Sequence, residues 1–390
     1  SDNLPTYLRI TDISEDGYLL RNQIVSVAQE VTEENYLQEG DIVLARTGAS
    51  VGKSYRYRRA DGRLVFAGFL IRVKPDPKKV NSELLFQFFS TENYWRWVDF
   101  ISARSGQPGI NGAEYSSMPL MLPPTTKEQQ KIAACLSSLD DLIAAQSRKV
   151  EAMKTHKKGL MQQLFPAEGE TAPRLRFAEF REAGEWELLP IKNKVDLLSG
   201  YPFKSSEILE DSNGIPLLRG INITEGYIRH SQEIDRFFHG DTKKLERFRL
   251  ITNDLVIGMD GSKVGKNSAL ITEVDSDSLL IQRVARLRAK KKATIQFIFQ
   301  QINSTKFHSY VDRINTSGGI PHISLKQIEE FQLYFPTSHA EQRKIATCLS
   351  SLDDLIAAQS QKLEVLKAHK KGLMQGLFPN DKEMNDAATQ

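Results

Sequence analysis

The chain has 390 residues, a formal net charge of +3, 40% hydrophobic and 26% charged residues, which calls for more than one domain of an ordinary globular protein. No run is apolar for long enough to span a bilayer, and Ser1-Asp2-Asn3-Leu4-Pro5 lacks a basic-then-apolar leader pattern; membrane insertion and export are therefore not expected, and a cytoplasmic location is. The two cysteines, Cys135 and Cys348, have no metal-ligand neighbours at useful spacing and read as free thiols.

In chain order, short β-like runs at Asp41–Ala45 and Leu64–Val73 are separated by turn residues, and a basic, aromatic-laced stretch, YRYRRADGR (Tyr55–Arg63), lies between them. A helix is predicted over Ser82–Val98. Its Phe86, Phe88, Phe89, Trp95 and Trp97 fit a core better than base stacking. A long helix follows Pro124 and ends at Phe165-Pro166. The second half brings β-like runs at Asp254–Met259 and Leu279–Leu287, basic clusters at Lys243–Arg249 and Arg283–Lys292, a helix over Ile295–Asp312, Pro336, and a second long helix ending at Phe378-Pro379. Any one basic cluster fits a solvated face. Their presence in both halves points to phosphate contact.

The two long helices are almost the same text. Glu128–Pro166 and Glu341–Pro379 differ at eight positions and lie 213 residues apart, a period that marks domain duplication rather than a solenoid. At the same offset DIVLARTGASVGKS (Asp41–Ser54) matches DLVIGMDGSKVGKN (Asp254–Asn267), and Pro5–Tyr18 resembles Pro216–Tyr227. Scaffold positions match while the residues between them have diverged, as expected of one fold tuned to two ligands. Both helices carry an apolar 4-3 repeat, at Ile132, Leu136, Leu139, Ile143, Val150, Met153, Leu160 and Leu164 in the first. Both interrupt it at matching places, Gln146 and Lys157 in the first, Gln359 and Lys370 in the second. Polar residues in such a seam commonly fix register. An antiparallel pairing about 50 Å long is predicted.

Catalytic patterns are missing. GASVGKS (Gly48–Ser54) is one residue short of a phosphate-wrapping loop, and its counterpart ends in Asn267; a glycine-bounded turn presenting Lys53 and Lys266 is the better reading. No NPPY-like tetrapeptide, glycine-rich cofactor fingerprint or His-Glu-x-x-His occurs. His156 and His369 fall on the polar flanks of the long helices. An enzyme is not expected, and no metal site is predicted.

The order GDIVLARTGASVGK, SGQPGIN, MPLMLPPTTKEQQKIAACLSSLDDLIAA, with PRLRFAEF (Pro173–Phe180) and Trp186 in the connector, resembles the specificity subunits (HsdS) of type I restriction–modification systems. The resemblance spans essentially the whole chain. It implies an α+β fold of two mixed α/β target-recognition domains, each followed by a long helix, the two helices pairing as an antiparallel coiled coil. The expected divisions are recognition domain 1 at 1–124, spacer helix 1 at 125–166, a linker at 167–184, recognition domain 2 at 185–336, spacer helix 2 at 337–379 and a tail at 380–390.

The resemblance further implies a non-catalytic subunit that reads a bipartite, asymmetric target in double-stranded DNA. Two methyltransferase subunits and restriction/translocase subunits would dock on it, in the cytoplasm and at the nucleoid of a bacterium or archaeon. No cofactor is implied on this chain; S-adenosylmethionine, ATP and Mg belong to the partners. A stand-alone coiled-coil DNA-binding or scaffold protein is the alternative, separable by whether a methyltransferase co-purifies. Candidate DNA-contacting residues are Arg46, Ser50, Lys53, Tyr55, Arg56, Arg104 and Gln107 in the first domain, and Arg236, Arg249, Lys263, Lys266, Asn315 and His322 in the second. One departure stands out: Pro173–Gly214 leads into the second unit, whereas only Ser1–Leu4 precedes the matching segment of the first. The first recognition domain is thus expected to be without its opening strand or helix.

Overall fold

The computed structural model describes residues 4–21, 24–28, 31–103, 108–290, 292–315 and 320–378. The chain forms two compact units, one from Ser1–Lys149 with Gln359–Gln390, the other from Val150–Ala358. Both division points fall inside the long helices rather than at their ends.

Unit 1 begins with β1 (Thr6–Leu8), β2 (Val25–Ser26), β3 (Ile42–Ala45), β4 (Ser54–Arg56), β5 (Leu64–Phe66) and β6 (Leu70–Val73). One sheet has the order β2-β1-β5, with β1 parallel to β5; the other is an antiparallel β4-β3-β6. The predicted run Leu64–Val73 is thus two strands in different sheets, divided at Gly68-Phe69. Helices α1 (Ser82–Phe88), α2 (Glu92–Ser102) and α3 (Gly112–Ser116) follow. The single helix expected over Ser82–Val98 is split because Thr91 caps a new one, its side chain accepting from the Tyr94 N–H. Phe86, Phe88 and Phe89 are buried, Trp97 is half-buried, and Trp95 is exposed.

Unit 2 repeats this plan with additions. Its strands are β7 (Glu187–Pro190), β8 (Val195–Ser199), β9 (Ile215–Leu218), β10 (Glu225–Gly226), β11 (Phe237–Phe238), β12 (Leu255–Gly258), β13 (Ser268–Leu270), β14 (Leu279–Leu280) and β15 (Val284–Ala289). After α5 (Lys292–Ile302), α6 (Thr305–Ile314) and α7 (Leu325–Glu330) comes β16 (Gln332–Phe335). The sheet β11-β9-β14 corresponds to β2-β1-β5, and β13-β12-β15 to β4-β3-β6. Again one expected helix becomes two, with Ser304 capping α6, and one expected strand becomes β14 and β15. The leading stretch of this unit supplies β7, which pairs with β16, and β8, which covers the outer edge of β15. In unit 1, among the described residues, β6 is an edge strand.

The long helices are α4 (Thr126–Leu164) and α8 (His339–Leu377). All ten seam positions of each are buried or half-buried, including the polar ones, and His156 and His369 are exposed. Within unit 1, Leu136 and Ala133 of α4 share a core with Met374 of α8 and the following Phe378. Within unit 2, Leu164 shares a core with Ile345 and Leu349. Early α4 meets late α8, and late α4 meets early α8, so the contacts run antiparallel. Truncating a fully buried seam leucine such as Leu136 to alanine costs about 2–5 kcal/mol. Cys135 is exposed and Cys348 half-buried, both free. No described helix is long and apolar enough to cross a membrane.

Candidate nucleic-acid interface

The repeated glycine turn organises the same face of each unit. Gly52 has φ +89° and Gly265 φ +70°, and a Cβ there would come within 2.8 Å of Val98 and Val311 respectively. The second glycine is therefore required by the close approach of α2 or α6, and the motif is a packing device. At the first glycine, the N–H of Gly48 donates to the Pro108 carbonyl (3.1 Å) and that of Gly261 to the Pro321 carbonyl (3.2 Å). Three backbone segments meet on this rim. The Arg46 N–H donates to the Phe69 carbonyl, and the Ile110 N–H to the Arg46 carbonyl; in unit 2 the Met259 N–H donates to Arg283 and the Ile323 N–H to Met259.

In unit 2 the rim opens into a groove of about 720 Å³, whose lining includes Arg219, Arg229, Lys263 and Arg283 against Glu225 and Asp260. Four cations face two carboxylates, so the groove carries positive charge and many donors. Lys263 Nζ lies 2.9 Å from Glu225 and Arg283 Nη1 2.9 Å from Asp260, both pairs near the solvent. In unit 1 a smaller cavity of about 340 Å³ is lined by residues including Ser50, Lys53, Trp95, Asp140 and Lys370.

The structure sorts the predicted contact residues. Lys263 lines the groove, and the exposed His322 is paired through its backbone with Asp260 beside it. Ser50 and Lys53 share the unit 1 cavity, though Lys53 is largely covered and ion-paired with Glu15 at 2.8 Å. Arg46 is exposed on the rim. Lys266 pairs with Asp312 of α6 at 3.2 Å rather than being presented on its turn. Arg104 and Gln107 lie outside the described residues.

Others are committed to the framework. Tyr55 is fully buried and its hydroxyl donates to Asp61 at 2.8 Å, so it has no face for a base. Burial, reinforced by Asp61, pushes its phenol far above the ordinary value. Arg56 is turned onto the start of α1, bonding Ser82 and pairing with Glu83. Arg236 pairs with Glu210 and Arg249 with Glu246. Asn315 closes α6, donating to the Val311 carbonyl and accepting from the His322 N–H. Within the basic cluster after residue 282, Arg286 is buried and bonds Asp196, while Arg288 forks onto Asp254 at 2.7 Å through both Nε and Nη2. Only Arg283 of these three reaches the groove. Arg219, Arg229 and Gln282 were missed by sequence reasoning, and Arg283 was noticed only as the first residue of a basic cluster.

The polar seam residues have specific partners. In unit 1, Gln146 Nε2 donates to the backbone carbonyl and the amide oxygen of Gln359, each at 2.9 Å. Lys370 bonds one oxygen of Asp140 at 2.6 Å, and Gln87 of α1 donates to the other at 2.7 Å. In unit 2, Lys157 bonds Asp353 at 2.5 Å and Gln300 of α5 donates to its second oxygen at 2.9 Å. One aspartate per unit thus joins a recognition-domain helix to the partner long helix.

Away from the groove centre, His230 contacts Asp275 (2.9 Å) and Asp235 (3.2 Å). Burial pulls its pKa down, but the two carboxylates outweigh that and leave it raised. Among the described residues no group of three or more His, Cys, Asp or Glu side chains is placed to hold a metal.

Set against known proteins, residues 6–153 and 184–368 match the sequence model of the type I restriction modification DNA specificity domain. The chain belongs to this family. It is a non-catalytic specificity subunit with two DNA target-recognition domains. The MjaVIII specificity subunit of Methanocaldococcus jannaschii is 26% identical over 362 residues, covering 91% of this chain and 82% of its own length. The EcoAI specificity subunit of Escherichia coli is 30% identical over 189 residues, 48% of this chain and 31% of that protein. The fold matches that of the type I restriction-modification S subunit from M. genitalium, with a TM-score of 0.61 at 15% identity, covering 96% of this chain and 89% of the other. As a specificity subunit, the chain devotes its duplicated scaffold to two recognition domains.

Proposed function

We propose that the chain reads double-stranded DNA as two half-sites, one through the rim and groove of each recognition domain, with α4 and α8 pairing as an antiparallel coiled-coil spacer. Two methyltransferase subunits dock on it, and restriction subunits join them. The observation that carries this reading is the contrast between framework and rim. Asp41 and Asp254, Gln87 and Gln300, Asp140 and Asp353 occupy matching places in the two copies, whereas the exposed rim residues differ at nearly every place. A framework kept in both copies holds the fold, and a varied rim gives two addresses. Positive charge in the unit 2 groove attracts the phosphate backbone, while its guanidinium and amide donors suit base edges. Chemistry resides in the partners, which carry S-adenosylmethionine, ATP and Mg.

The test is to express the full chain with a type I methyltransferase subunit, purify the complex and map N6-methyladenine in the host genome. We expect two methyltransferase copies per chain and a two-part asymmetric motif with one fixed gap. A chain that binds DNA alone and never retains a methyltransferase would support a free-standing DNA-binding protein instead.

A further inference from the structure

We infer that Arg283 is a specificity-determining residue of the second recognition domain, reading the N7/O6 edge of a guanine in its half-site. This rests on the DNA-reading role proposed above and names the chemistry of one contact within it. Four observations converge on the residue. Its backbone has φ +66°, in the left-handed region that a long side chain rarely adopts; such conformations persist where the surrounding structure holds them. Here the hold is visible: the Arg283 carbonyl accepts from the Met259 N–H, and the Gln282 N–H donates to the Tyr201 carbonyl. The side chain is 68% exposed even so, and lines the groove. Its guanidinium is steadied from one side by the Asp260 carboxylate, at 2.9 Å. That leaves the rest of a planar donor fork aimed at solvent, the geometry that meets guanine with two bonds.

The duplicate unit shows that this position varies while the hydrogen bond from the facing strand does not. Pairing of β3 with β6 and of β12 with β15 makes Gly68-Phe69 the counterpart of Gln282-Arg283. The flanking hydrogen bond is the same, from the Arg46 N–H to the Phe69 carbonyl. Yet Phe69 is exposed and apolar, position 47 is Thr where unit 2 has Asp260, and the guanidinium comes instead from Arg46 across the pair. The same flanking hydrogen bond with exchanged chemistry upon it is what separate addresses require, and the left-handed backbone is a feature of Arg283 that Phe69 does not share. The neighbouring arginines are unsuited to the role, since Arg286 and Arg288 are spent on Asp196 and Asp254.

The experiment is selection of bound duplexes from a randomised DNA pool by the full chain in complex with its methyltransferase subunits, followed by sequencing, for wild type, Arg283→Lys and Arg283→Ala. We expect wild type to enrich a two-part motif with guanine at one position that both variants flatten, by on the order of 10-fold in preference. All other positions, including the whole of the other half-site, stay unchanged. Retention of the guanine preference by Arg283→Ala, or an even loss across all sequences in that variant, would overturn the inference, the second outcome marking a phosphate contact. If wild type enriched no sequence at all, the DNA-reading role itself would fall, and this inference with it. Because the side chain projects from the surface, the variants are expected to melt within a few degrees of wild type.

Discussion

At the scale of single residues, the molecule spends most of its arginines on itself. Arg56, Arg286 and Arg288 all sit in clusters that look like phosphate-binding text, yet each is turned onto a carboxylate of the same unit. Sequence could not show this, because the partners lie far along the chain: Glu83 for Arg56, Asp196 for Arg286, Asp254 for Arg288. Tyr55 was misleading for a different reason: its ring is fully buried and its hydroxyl is fixed by nearby Asp61. His230 offers a test of this internal wiring. Its pKa is raised in the folded protein by Asp275 and Asp235. The stabilisation is therefore complete below the unfolded value of about 6.5 and is lost as pH rises through the higher folded value. The melting-temperature difference between wild type and His230→Gln should be largest in mildly acidic buffer and shrink as pH climbs. A difference that grows with pH would contradict the charge linkage.

At the scale of elements, the long helices were the most legible part of the chain. A 4-3 repeat over ten positions, eight of them apolar, marks a helical seam, and every one of those positions is buried or half-buried. The polar interruptions were legible as places but not as partners. Lys370 meets Asp140, an aspartate of the LDDLIAA text that carries no apolar signal, and Gln87 arrives from a different element altogether. Removing the lysine would leave a partly buried carboxylate held by one amide. Lys370→Met is expected to cost about 1–3 kcal/mol in chemical denaturation, and Lys157→Met to do the same through Asp353. A double variant, Lys370→Met with Asp140→Leu, should recover much of the loss, since neither charge is then left alone. The shorter helices were blurred for a local reason. Ser90-Thr91 and Ser304-Thr305 are capping text, and reading them as such divides α1 from α2 and α5 from α6.

At the scale of the whole molecule, duplication was plain in the sequence, whereas the way the chain shares out its helices was not. The division falls at Lys149/Val150 and Ala358/Gln359, so unit 1 includes the last stretch of α8 while unit 2 is one uninterrupted segment. Periodicity marks where a helix lies but is silent on which compact unit owns each half of it. The consequence is testable by truncation. A chain ending at Ala358 should lose amide-exchange protection around Leu136 and Phe88, which pack with Met374 and Phe378. Protection at Ile257 and Ala285, whose core lies wholly in unit 2, should be retained. Equal loss in both places would mean that the units do not fold separately.

That same division bears on how the protein is made. On the ribosome, the first recognition domain emerges long before Gln359–Phe378, the strip that finishes its core. Between them lies Val150–Ala358, a delay of roughly 10–40 s at 5–20 residues per second. The apolar face around Leu136 waits through that interval with no mate from its own chain, while the later-made unit needs nothing still to come. Nascent molecules should therefore mature in reverse order of synthesis, and the first-born domain is the one that calls for chaperone cover.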